Sequence, residues 1–580
     1  MGGWSARVHS PCTTQGLTMQ RCSIAVMVFT TTLLVGGCMA TDNSASSPTP
    51  AAPSAIPQGT FTDAQGSAQT LSPAAFAAMQ YSGQGSYHWP DGQHYQGHWH
   101  QGARHGEGQW RSADGLQYQG HWQADRYHGQ GILLTPEGER YEGQFTAGQR
   151  QGEGELTSDD GRYQGAWHND QPQGQGRFEG VDGSVYIGAY QAGDRHGSGR
   201  FTSAGGSVYE GDWLADEPSG FGVLVEANGG RREGQWLDGT SSGYGTYQHP
   251  AGLHYEGHWE ADQRAGFGAE QRPDGSHYEG HWNADKPEGE GTLTLATGRS
   301  HHGLWQSGLP HGVGTVEDPA GYELTGRWNN GTLTSGTLTL QDVTTNNQFG
   351  PQALINEQGL WQSDVAVWLR NHAEAGSAAA AWLLIARNSA DSAGLLETAA
   401  EADIALAQYE LGKRLLDADL HRAIHWLNKA SNGNPHAGGA AHFLLGSLYH
   451  FGELLPQDQD QAESHYLVAI KRGNIPARRN LAAMLATTSI DYLRDPERAL
   501  DIIEPIALLY QSPGLLDALA VVYLANDRAG DAVQTQQSAL AALNLKATDN
   551  RADHPELSNQ IKAEMEQRLL RYQIAAGTKP

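Results

Sequence analysis

The pattern Tyr-x-Gly-x-aromatic recurs along this chain at a nearly constant step of 23 residues. A repeat unit this short cannot bury a core of its own and must stack on its neighbours, so the chain is expected to form an elongated, quasi-one-dimensional array. Three copies replace the tyrosine with Arg232, His301 or Leu324. The clear copies are Tyr95-Gly97-Trp99, Tyr118-Gly120-Trp122, Tyr141-Gly143-Phe145, Tyr163-Gly165-Trp167, Tyr186-Gly188-Tyr190, Tyr209-Gly211-Trp213, Tyr255-Gly257-Trp259 and Tyr278-Gly280-Trp282.

Each unit has the features of a β-hairpin. A Gly-x-Gly motif and a turn such as Asp114-Gly115 or Asn228-Gly229 separate successive aromatic motifs, and Asp-Gly or Asn-Gly between two extended runs is a strong hairpin signal. Residues i, i+2 and i+4 of a strand face the same side, and the central glycine leaves space for neighbouring rings. We therefore predict an antiparallel β-hairpin array over residues 76–340, in which the motif residues have structural roles.

This array resembles MORN repeats, whose pattern is Tyr-x-Gly-x-Trp followed by Gly-x-Gly. The resemblance covers nearly half of the chain in about eleven copies. It implies a scaffolding function, and in eukaryotic members of the family it is also associated with phospholipid contact.

Enzyme-like motifs within the array are better explained by the repeat. Ser241 lies in the nucleophile-elbow string Gly-x-Ser-x-Gly, but it occupies the same repeat position as Arg104, in a strand connection with no helix after it. Glycine pairs such as Gly106 and Gly108 would need a helix N-terminus to hold a phosphate. We predict no catalytic residue and no cofactor.

Four histidines, His98, His121, His258 and His281, follow the central glycine of their units. Equivalent positions in successive hairpins should lie about 9.6 Å apart, two strand spacings, whereas zinc needs its ligand nitrogens within about 2.1 Å. We therefore predict a solvated polar face and no metal site. The alternative is that these histidines tune the charge of that face with pH.

The N-terminal segment has the composition of a targeting sequence. Arg21 precedes a short apolar run that ends in Val35-Gly36-Gly37-Cys38, and this run is too short to span a membrane. It resembles the lipobox of bacterial lipoproteins, which implies that Cys38 becomes lipidated. The alternative is an ordinary cleaved signal with an incidental cysteine. We predict a signal peptide over residues 1–38, with Met19 as an alternative start, and a disordered linker rich in Ser, Thr, Pro and Ala over residues 39–75.

The anchor implied by the lipobox places the protein in the bacterial cell envelope. Met39, rather than Asp, follows the cysteine, which by similarity to Gram-negative lipoproteins implies the outer membrane, facing the periplasm. All three cysteines lie within the first 38 residues, so we expect no internal disulfide downstream.

Alanine-rich amphipathic runs replace the glycine period from Trp361 onward. Runs at 405–412 and 423–430 are followed by Gly433-Asn434-Pro435, and runs at 441–449 and 461–469 are followed by Gly473-Asn474. These stop signals predict helical hairpins. The two cycles resemble Sel1-like repeats, and later segments resemble tetratricopeptide repeats, which share that fold.

The predicted fold is therefore multidomain β plus α, a hairpin array followed by an α-helical hairpin solenoid. We place a connector at 341–360, the helical repeats at 361–545, and a capping helix and tail at 546–580. The inward face of the capping helix is predicted from apolar residues at steps of four. Those residues are Leu557, Ile561, Met565 and Leu569.

A solenoid of this kind presents a groove that can hold a protein partner. Tyr409, Trp426, Tyr449 and Tyr466 are predicted to be core residues rather than ligand contacts, because they lie at helical spacing within apolar runs. Exposed edge strands of the array would also permit a homodimer.

A formal net charge of −27 opposes binding to nucleic acid or to a bare anionic bilayer, so membrane contact is expected only through the lipid anchor. Our main hypothesis is a noncatalytic envelope lipoprotein that acts as a scaffold for protein–protein interaction. The alternative is a ligand-binding envelope protein whose aromatic ladders recognise glycan or lipid.

Overall fold

The computed structural model describes residues 57–343, 347–349, 363–387, 393–547 and 555–577. The expected signal peptide, the lipidation residue Cys38 and most of the expected linker lie outside these residues. The described chain divides into two compact units. The first unit holds 57–227 and Trp236–Gly239, and the second holds Asn228–Gln235 together with the described residues from Thr240 onward.

Antiparallel hairpins build the β-part of each unit, as the sequence predicts. The strands of the first unit are β1 (Gly59–Asp63), β2 (Ala68–Leu71), β3 (Gly83–His88), β4 (His94–His100), β5 (Ala103–Arg111), β6 (Gln117–Gln123), β7 (Arg126–Leu134), β8 (Arg140–Thr146), β9 (Gln149–Ser158), β10 (Gly161–His168), β11 (Gln171–Gly180), β12 (Val185–Gln191), β13 (Asp194–Thr202), β14 (Val208–Leu214) and β15 (Glu217–Val225). Strand β16 (Arg231–Leu237) contains the division between the units. The strands of the second unit are β17 (Thr240–Gln248), β18 (His254–Glu260), β19 (Gln263–Gln271), β20 (His277–Asn283), β21 (Lys286–Thr294), β22 (Ser300–Gln306), β23 (Leu309–Asp318), β24 (Tyr322–Asn329), β25 (Thr332–Leu340) and β26 (Asn347–Phe349).

Two kinds of turn alternate along the strands. The predicted Asp114-Gly115 lies in a five-residue connection between β5 and β6, closed by a hydrogen bond from the Ser112 amide to the Leu116 carbonyl (2.8 Å). The other connection has two residues, such as Ala124-Asp125 between β6 and β7, with φ values of 48° and 65°. Positive φ at both residues is what a type I′ hairpin turn requires.

The predicted boundary between linker and array at residue 75 is wrong. Strands β1 and β2 precede it, helix α1 (Pro73–Ala78) spans it, and β1 pairs with β3. The buried ring of Phe76 on α1 lies 4.6 Å from the ring of Tyr87 and stacks on it. These additions therefore cover the N-terminal end of the aromatic core of the first unit.

Helices fill the remainder of the second unit, in agreement with the predicted helical hairpins. They are α2 (Ser363–Glu374), α3 (Ala378–Arg387), α4 (Ala393–Glu401), α5 (Ala405–Leu415), α6 (Leu420–Ser431), α7 (Pro435–Phe451), α8 (Gln459–Lys471), α9 (Ile475–Thr487), α10 (Pro496–Tyr510), α11 (Pro513–Ala525), α12 (Ala529–Ala547) and α13 (Pro555–Ala575). Asn434 and Asn474 cap the helices that follow them, with side-chain oxygens that accept the amides of Ala437 and Ala477 at 2.9 Å. The stop signals read from the sequence are thus also start signals.

The capping helix α13 forms, but its inward face differs from the predicted one. Met565 of the predicted face is buried, but Ile561 is exposed, and Tyr572, which was not part of the predicted face, is buried. The side chain of Leu557 lies outside the described residues. Arg568 on this helix pairs with Asp517 of α11 at 2.9 Å, so an ion pair replaces part of the expected apolar seam.

Within the second unit the array and the helices share a core. Ala251, in a turn of the array, is fully buried in one apolar cluster with α8 to α11. A second cluster joins Val316 and Trp328 of the last hairpins to Leu369 of α2 and Trp382 of α3. Neither repeat pattern predicted that the helical region packs against the turns of the array in this way.

Candidate interaction surfaces

The motif residues form a buried ladder on the inner face of each unit. The Tyr95 hydroxyl donates to the carbonyl of His98 (2.8 Å), and the Trp99 indole donates to the carbonyl of Gly85 one hairpin earlier (3.1 Å). A Cβ on Gly108 would lie 2.2 Å from the Tyr95 hydroxyl, so the ring occupies the space that glycine leaves. Burial raises the pKa of the Tyr95 hydroxyl.

The structure brings the sequence-predicted repeat positions into this ladder. All ten of their rings are buried. The predicted positions are Tyr95, Gly97, Trp99, Tyr118, Gly120, Trp122, Tyr209, Gly211, Trp213, Tyr255, Gly257, Trp259, Tyr278, Gly280 and Trp282. Rings held in this way stabilise the fold and offer no surface on which a ligand could stack.

An arginine clamp, which the repeat motifs did not predict, joins neighbouring hairpins. The Arg104 guanidinium carbon lies 4.3 Å from the ring centre of Trp122 in the next hairpin. Its Nε lies 3.0 Å from Oδ1 of Asp125, which also accepts the Arg104 backbone amide at 3.0 Å. Stacking and charge pairing therefore act on the same guanidinium.

The residue at the clamp position determines the residue in the following type I′ turn. Arg104, Arg150, Arg195 and Arg264 are each followed by an aspartate 20 or 21 residues later. At five other clamp positions, a glycine takes the place of the aspartate, and the glycine amide donates to the carbonyl of the clamp-position residue. Those clamp-position residues are Pro172, Pro218, Pro287, Pro310 and Tyr127. Proline has no amide that needs an acceptor, so the aspartate is dispensable in the four hairpins with proline at the clamp position.

Arg232, one of the three residues that replace a motif tyrosine, supplies the guanidinium of a clamp in its own hairpin. Its guanidinium carbon lies 4.5 Å from the Trp259 ring centre, and Nη1 donates to Asp262 (2.8 Å) and to the Ser241 hydroxyl (2.9 Å). Ser241 occupies the clamp position on β17, so an arginine on β16 places its charge where the clamp arginine would be. The buried Ser241 therefore belongs to a structural contact on a strand and not to a strand–turn–helix elbow.

Half-exposed rings lie on the outer face of the array in the second unit. Tyr244 and Phe267 are 50% and 51% exposed, each at the centre of a Gly-x-Gly motif. Tyr244 pairs across strands with His258, and Phe267 with His281, with edge-on ring centroids 5.6 and 5.7 Å apart. Two of the four histidines singled out in the sequence thus accompany exposed aromatic rings.

Polar side chains occupy most of the equivalent outer positions in the first unit, and Phe221, which is 55% exposed, is the exception. Gln84 lies 2.9 Å from His98, and Glu107 lies 2.7 Å from His121. An open groove of about 550 Å³ lies here. Its lining includes Gln84, Gln96, Gln109, Gln119, Ser86 and Glu107. This face agrees with the predicted solvated polar surface.

One edge of the helical repeats is covered by turns of the array within the second unit. A Cβ on Gly473, in the connection between α8 and α9, would lie 2.6 Å from the carbonyl of Asp274. Burial raises the pKa of Tyr510 on α10 to about 12, and the Asp274 carboxylate adds to that rise. Burial lowers the pKa of His436 at the start of α7, and Asp274 partly opposes this effect.

The connections at the other ends of these helices carry exposed rings. Phe451 at the end of α7 is 59% exposed and Tyr492 between α9 and α10 is 75% exposed. The Tyr492 hydroxyl donates to Asp460 at the start of α8 (2.9 Å), so the two connections are neighbours. Tyr466 and Trp426, by contrast, are buried core residues, as predicted.

The described residues hold no group of three or more His, Cys, Asp or Glu arranged to bind a metal ion. Among those same residues, no helix combines the length and apolar character needed to cross a bilayer.

Comparison with known proteins now identifies both repeats. The MORN repeat model matches residues 80–94, 95–117, 118–140, 141–161, 163–185, 186–208, 209–231, 233–254, 255–277, 278–298 and 301–321, and the Sel1 repeat model matches residues 400–435 and 439–474. The chain is a MORN and Sel1 repeat protein. Both MORN and Sel1 repeats are consistent with a protein-interaction scaffold, and the Sel1 matches cover helices α5 to α8. The resemblance of the later helices to tetratricopeptide repeats stays a prediction.

Solved structures similar to this MORN and Sel1 repeat protein carry Sel1 repeats. One is c5321, a protective antigen present in uropathogenic Escherichia coli strains displaying an SLR fold, at 18% identity and a TM-score of 0.26 over 37% of this chain and 55% of that one. Another is a Sel1 repeat protein from Oxalobacter formigenes, at 14% identity and a TM-score of 0.24 over 36% of this chain and 90% of that one. The match thus spans about half the length of the antigen. Among curated proteins, none matches this chain.

Proposed function

We propose that this protein is a noncatalytic lipoprotein of the bacterial cell envelope that acts as a scaffold, with the helical repeats recruiting a protein partner. The observation that carries the proposal is which surfaces of the second unit are already covered and which are exposed. The inner face of the array is filled by its own ladder, and one edge of the Sel1 region is filled by array turns. The edge that carries Phe451 and Tyr492 is left exposed.

Exposed aromatic residues on neighbouring connections are well suited to a protein contact. Tyr and Phe supply large contact areas at a low entropic cost and are enriched at interfaces. Leu454 lies on the same connection as Phe451 and is also exposed. The partner that we propose therefore buries an apolar side chain between the α7–α8 and α9–α10 connections.

Site-specific photocrosslinking in cells tests this surface. A photoreactive phenylalanine analogue is placed at Phe451, at Tyr492 and, as a matched control, at Ile187, an exposed residue on the array. We expect the same protein adduct from the first two positions and none from Ile187. The scaffold proposal fails if neither helical position gives an adduct. It also fails if the purified protein turns over an ester, phosphate or glycosidic substrate and one substitution abolishes that turnover.

The anchor is tested separately. A cell fed with labelled palmitate should incorporate the label into the wild-type chain and into Cys22→Ser, but not into Cys38→Ser. The unlabelled variant should also leave the outer-membrane fraction. Label that persists in Cys38→Ser would contradict the lipoprotein assignment.

Glycan or lipid recognition through the ladder rings has no support from the geometry. The motif rings are buried, and the Tyr255 hydroxyl and the Trp282 indole donate to backbone carbonyls, so a ligand would have to unfold the array to reach them.

A further inference from the structure

The outer face of the second unit carries a regular row of rings that the ladder does not use. Tyr244, His258, Phe267 and His281 occupy β17, β18, β19 and β20 in turn, and cross-strand pairing joins the first to the second and the third to the fourth. Successive strands lie about 4.8 Å apart, so Tyr244 and Phe267 lie about 9.6 Å apart along the row. Two half-exposed aromatic rings thus alternate with two imidazoles.

The rings are held in place rather than loosely exposed. Each imidazole meets its partner ring edge-on, an arrangement that favours a fixed ring orientation. The Tyr244 hydroxyl donates to Oε1 of Glu256 at 2.6 Å. The Nδ1 atoms of His258 and His281 lie 3.3 Å from the carbonyls of Phe267 and Glu290.

Carboxylates run beside the row. Glu256 and Glu279 lie on the same face, two residues before His258 and His281, and Ala269 lies between them in the cross-strand register. Both glutamates are exposed. A ligand lying across β17 to β20 would therefore have aromatic rings and imidazoles on one side and carboxylates on the other.

We propose that this face binds a neutral, linear β-linked glycan, with Tyr244 and Phe267 as stacking platforms for alternate sugar rings. A pyranose with equatorial substituents presents an apolar C–H face to an aromatic ring, and its hydroxyls project sideways towards hydrogen-bonding groups. Imidazole nitrogens and carboxylate oxygens supply those groups here. In an extended β-linked chain of such sugars, the same face recurs after every second sugar, which matches rings on every second strand.

The charges argue against the other occupants. Glu256 and Glu279 repel an anionic polysaccharide and an anionic bilayer. The rings are separated by histidines and bordered by glutamates, whereas the centre of a protein–protein interface is depleted of charged residues. The site lies on the array and is independent of the helical edge assigned above to a protein partner.

Isothermal titration of the purified full chain with cellohexaose and chitohexaose tests this site, with the α-linked maltohexaose as the negative ligand. We expect binding to at least one β-linked hexasaccharide, a loss of about tenfold for Tyr244→Ala and for Phe267→Ala, and a smaller loss for Tyr244→Phe, which keeps the ring but not the hydroxyl. Val313→Ala is the matched control, because Val313 is exposed at the same repeat position two hairpins beyond Phe267. It should bind as the wild type does.

Outer-face variants should retain the ladder, and unchanged far-ultraviolet circular dichroism checks this. The proposal is overturned by the absence of binding to both β-linked ligands, or by binding that Tyr244→Ala and Phe267→Ala leave unchanged. Sedimentation is measured in parallel. A wild-type dimer that Phe267→Ala converts to monomer would assign the face to a second copy of the chain and would likewise overturn the glycan site. None of these outcomes depends on adducts at Phe451 or Tyr492, so this proposal and the scaffold proposal fail separately.

Discussion

Exchanging Arg232 and Ser241 for the residues that other hairpins carry provides a direct test of the arginine clamp. The two positions meet at Asp262, where Nη1 of Arg232 donates to the Ser241 hydroxyl and to the Asp262 carboxylate. Arg232→Tyr restores the motif tyrosine, and Ser241→Arg restores the clamp arginine. Each change alone should disrupt the contact, whereas both together should rebuild the pattern of the neighbouring hairpins.

The magnitudes follow from burial. The Arg232 side chain is 5% exposed and that of Asp262 is 28% exposed. Breaking a fully buried pair by removing one partner costs about 3–5 kcal/mol. A lower value of about 2 kcal/mol is expected for Arg232→Tyr, because Asp262 reaches solvent and still accepts the Ser241 amide at 2.9 Å. Ser241→Arg alone places two guanidinium groups against one carboxylate, and overpacking of this kind also costs about 2 kcal/mol.

The double variant should lie within about 1 kcal/mol of the wild type, which gives a coupling energy of about 3 kcal/mol. Native-state hydrogen exchange is the appropriate assay, because a chain of two units need not unfold in two states. Amides of β17 and β18 should exchange about 30-fold faster in each single variant and return close to the wild-type rate in the double variant. Additive effects, with the double variant exchanging about 1000-fold faster, would refute the clamp as described.

Three further expectations concern other contacts of the fold. His301 is fully buried at a motif tyrosine position, and burial lowers its pKa from 6.5 to about 4. As the pH falls, the unfolded chain takes up the proton first, so the free energy of unfolding should fall by about 3 kcal/mol between pH 6.5 and 4. Urea titrations across this range measure the effect, and His301→Tyr should remove it. Gly473→Ala should lower the thermal midpoint, because Gly473 has a φ of +80° and its Cβ would meet the Asp274 backbone, whereas Gly530→Ala, with open space around it, should not. Phe76→Ala should cost about 3–5 kcal/mol and increase hydrogen exchange first in β3 and β4, and exchange confined to α1 would contradict the capping role of this ring.

The inner face of the array could be predicted from the sequence because a strand has a period of two. Tyr95, Gly97 and Trp99 must share one side once the segment is a strand, and the recurrence of the motif fixes the same geometry in every hairpin. The linker boundary at residue 75 was wrong because β1 contains one buried apolar residue, Phe61, within a polar segment. A single ring gives no periodic signal, although it packs against Phe76 at 4.9 Å.

The arginine clamp could not be predicted from the sequence without the register of strand pairing between neighbouring hairpins. Arg104 and Asp125 are 21 residues apart, and only the pairing of neighbouring hairpins brings them to 3.0 Å. The contact of Gly473 with Asp274 is still less accessible to sequence reasoning. It joins two repeat families that follow different periods, so neither periodicity carries information about the other.

The alternation of side chains also separates what the array needs for folding from what it can use for binding. Neighbouring residues of a strand point to opposite faces, so Gly257 and Trp259 can maintain the ladder whatever stands at His258. The outer positions are therefore free to vary without disturbing the core, and they do vary along the array, from glutamine and glutamate to tyrosine and phenylalanine. Selection for stability alone does not favour half-exposed rings at outer positions, since burial of that apolar surface is what stabilises a fold. Rings at two successive outer positions, each held edge-on by a histidine, thus point to a ligand as the remaining source of that burial.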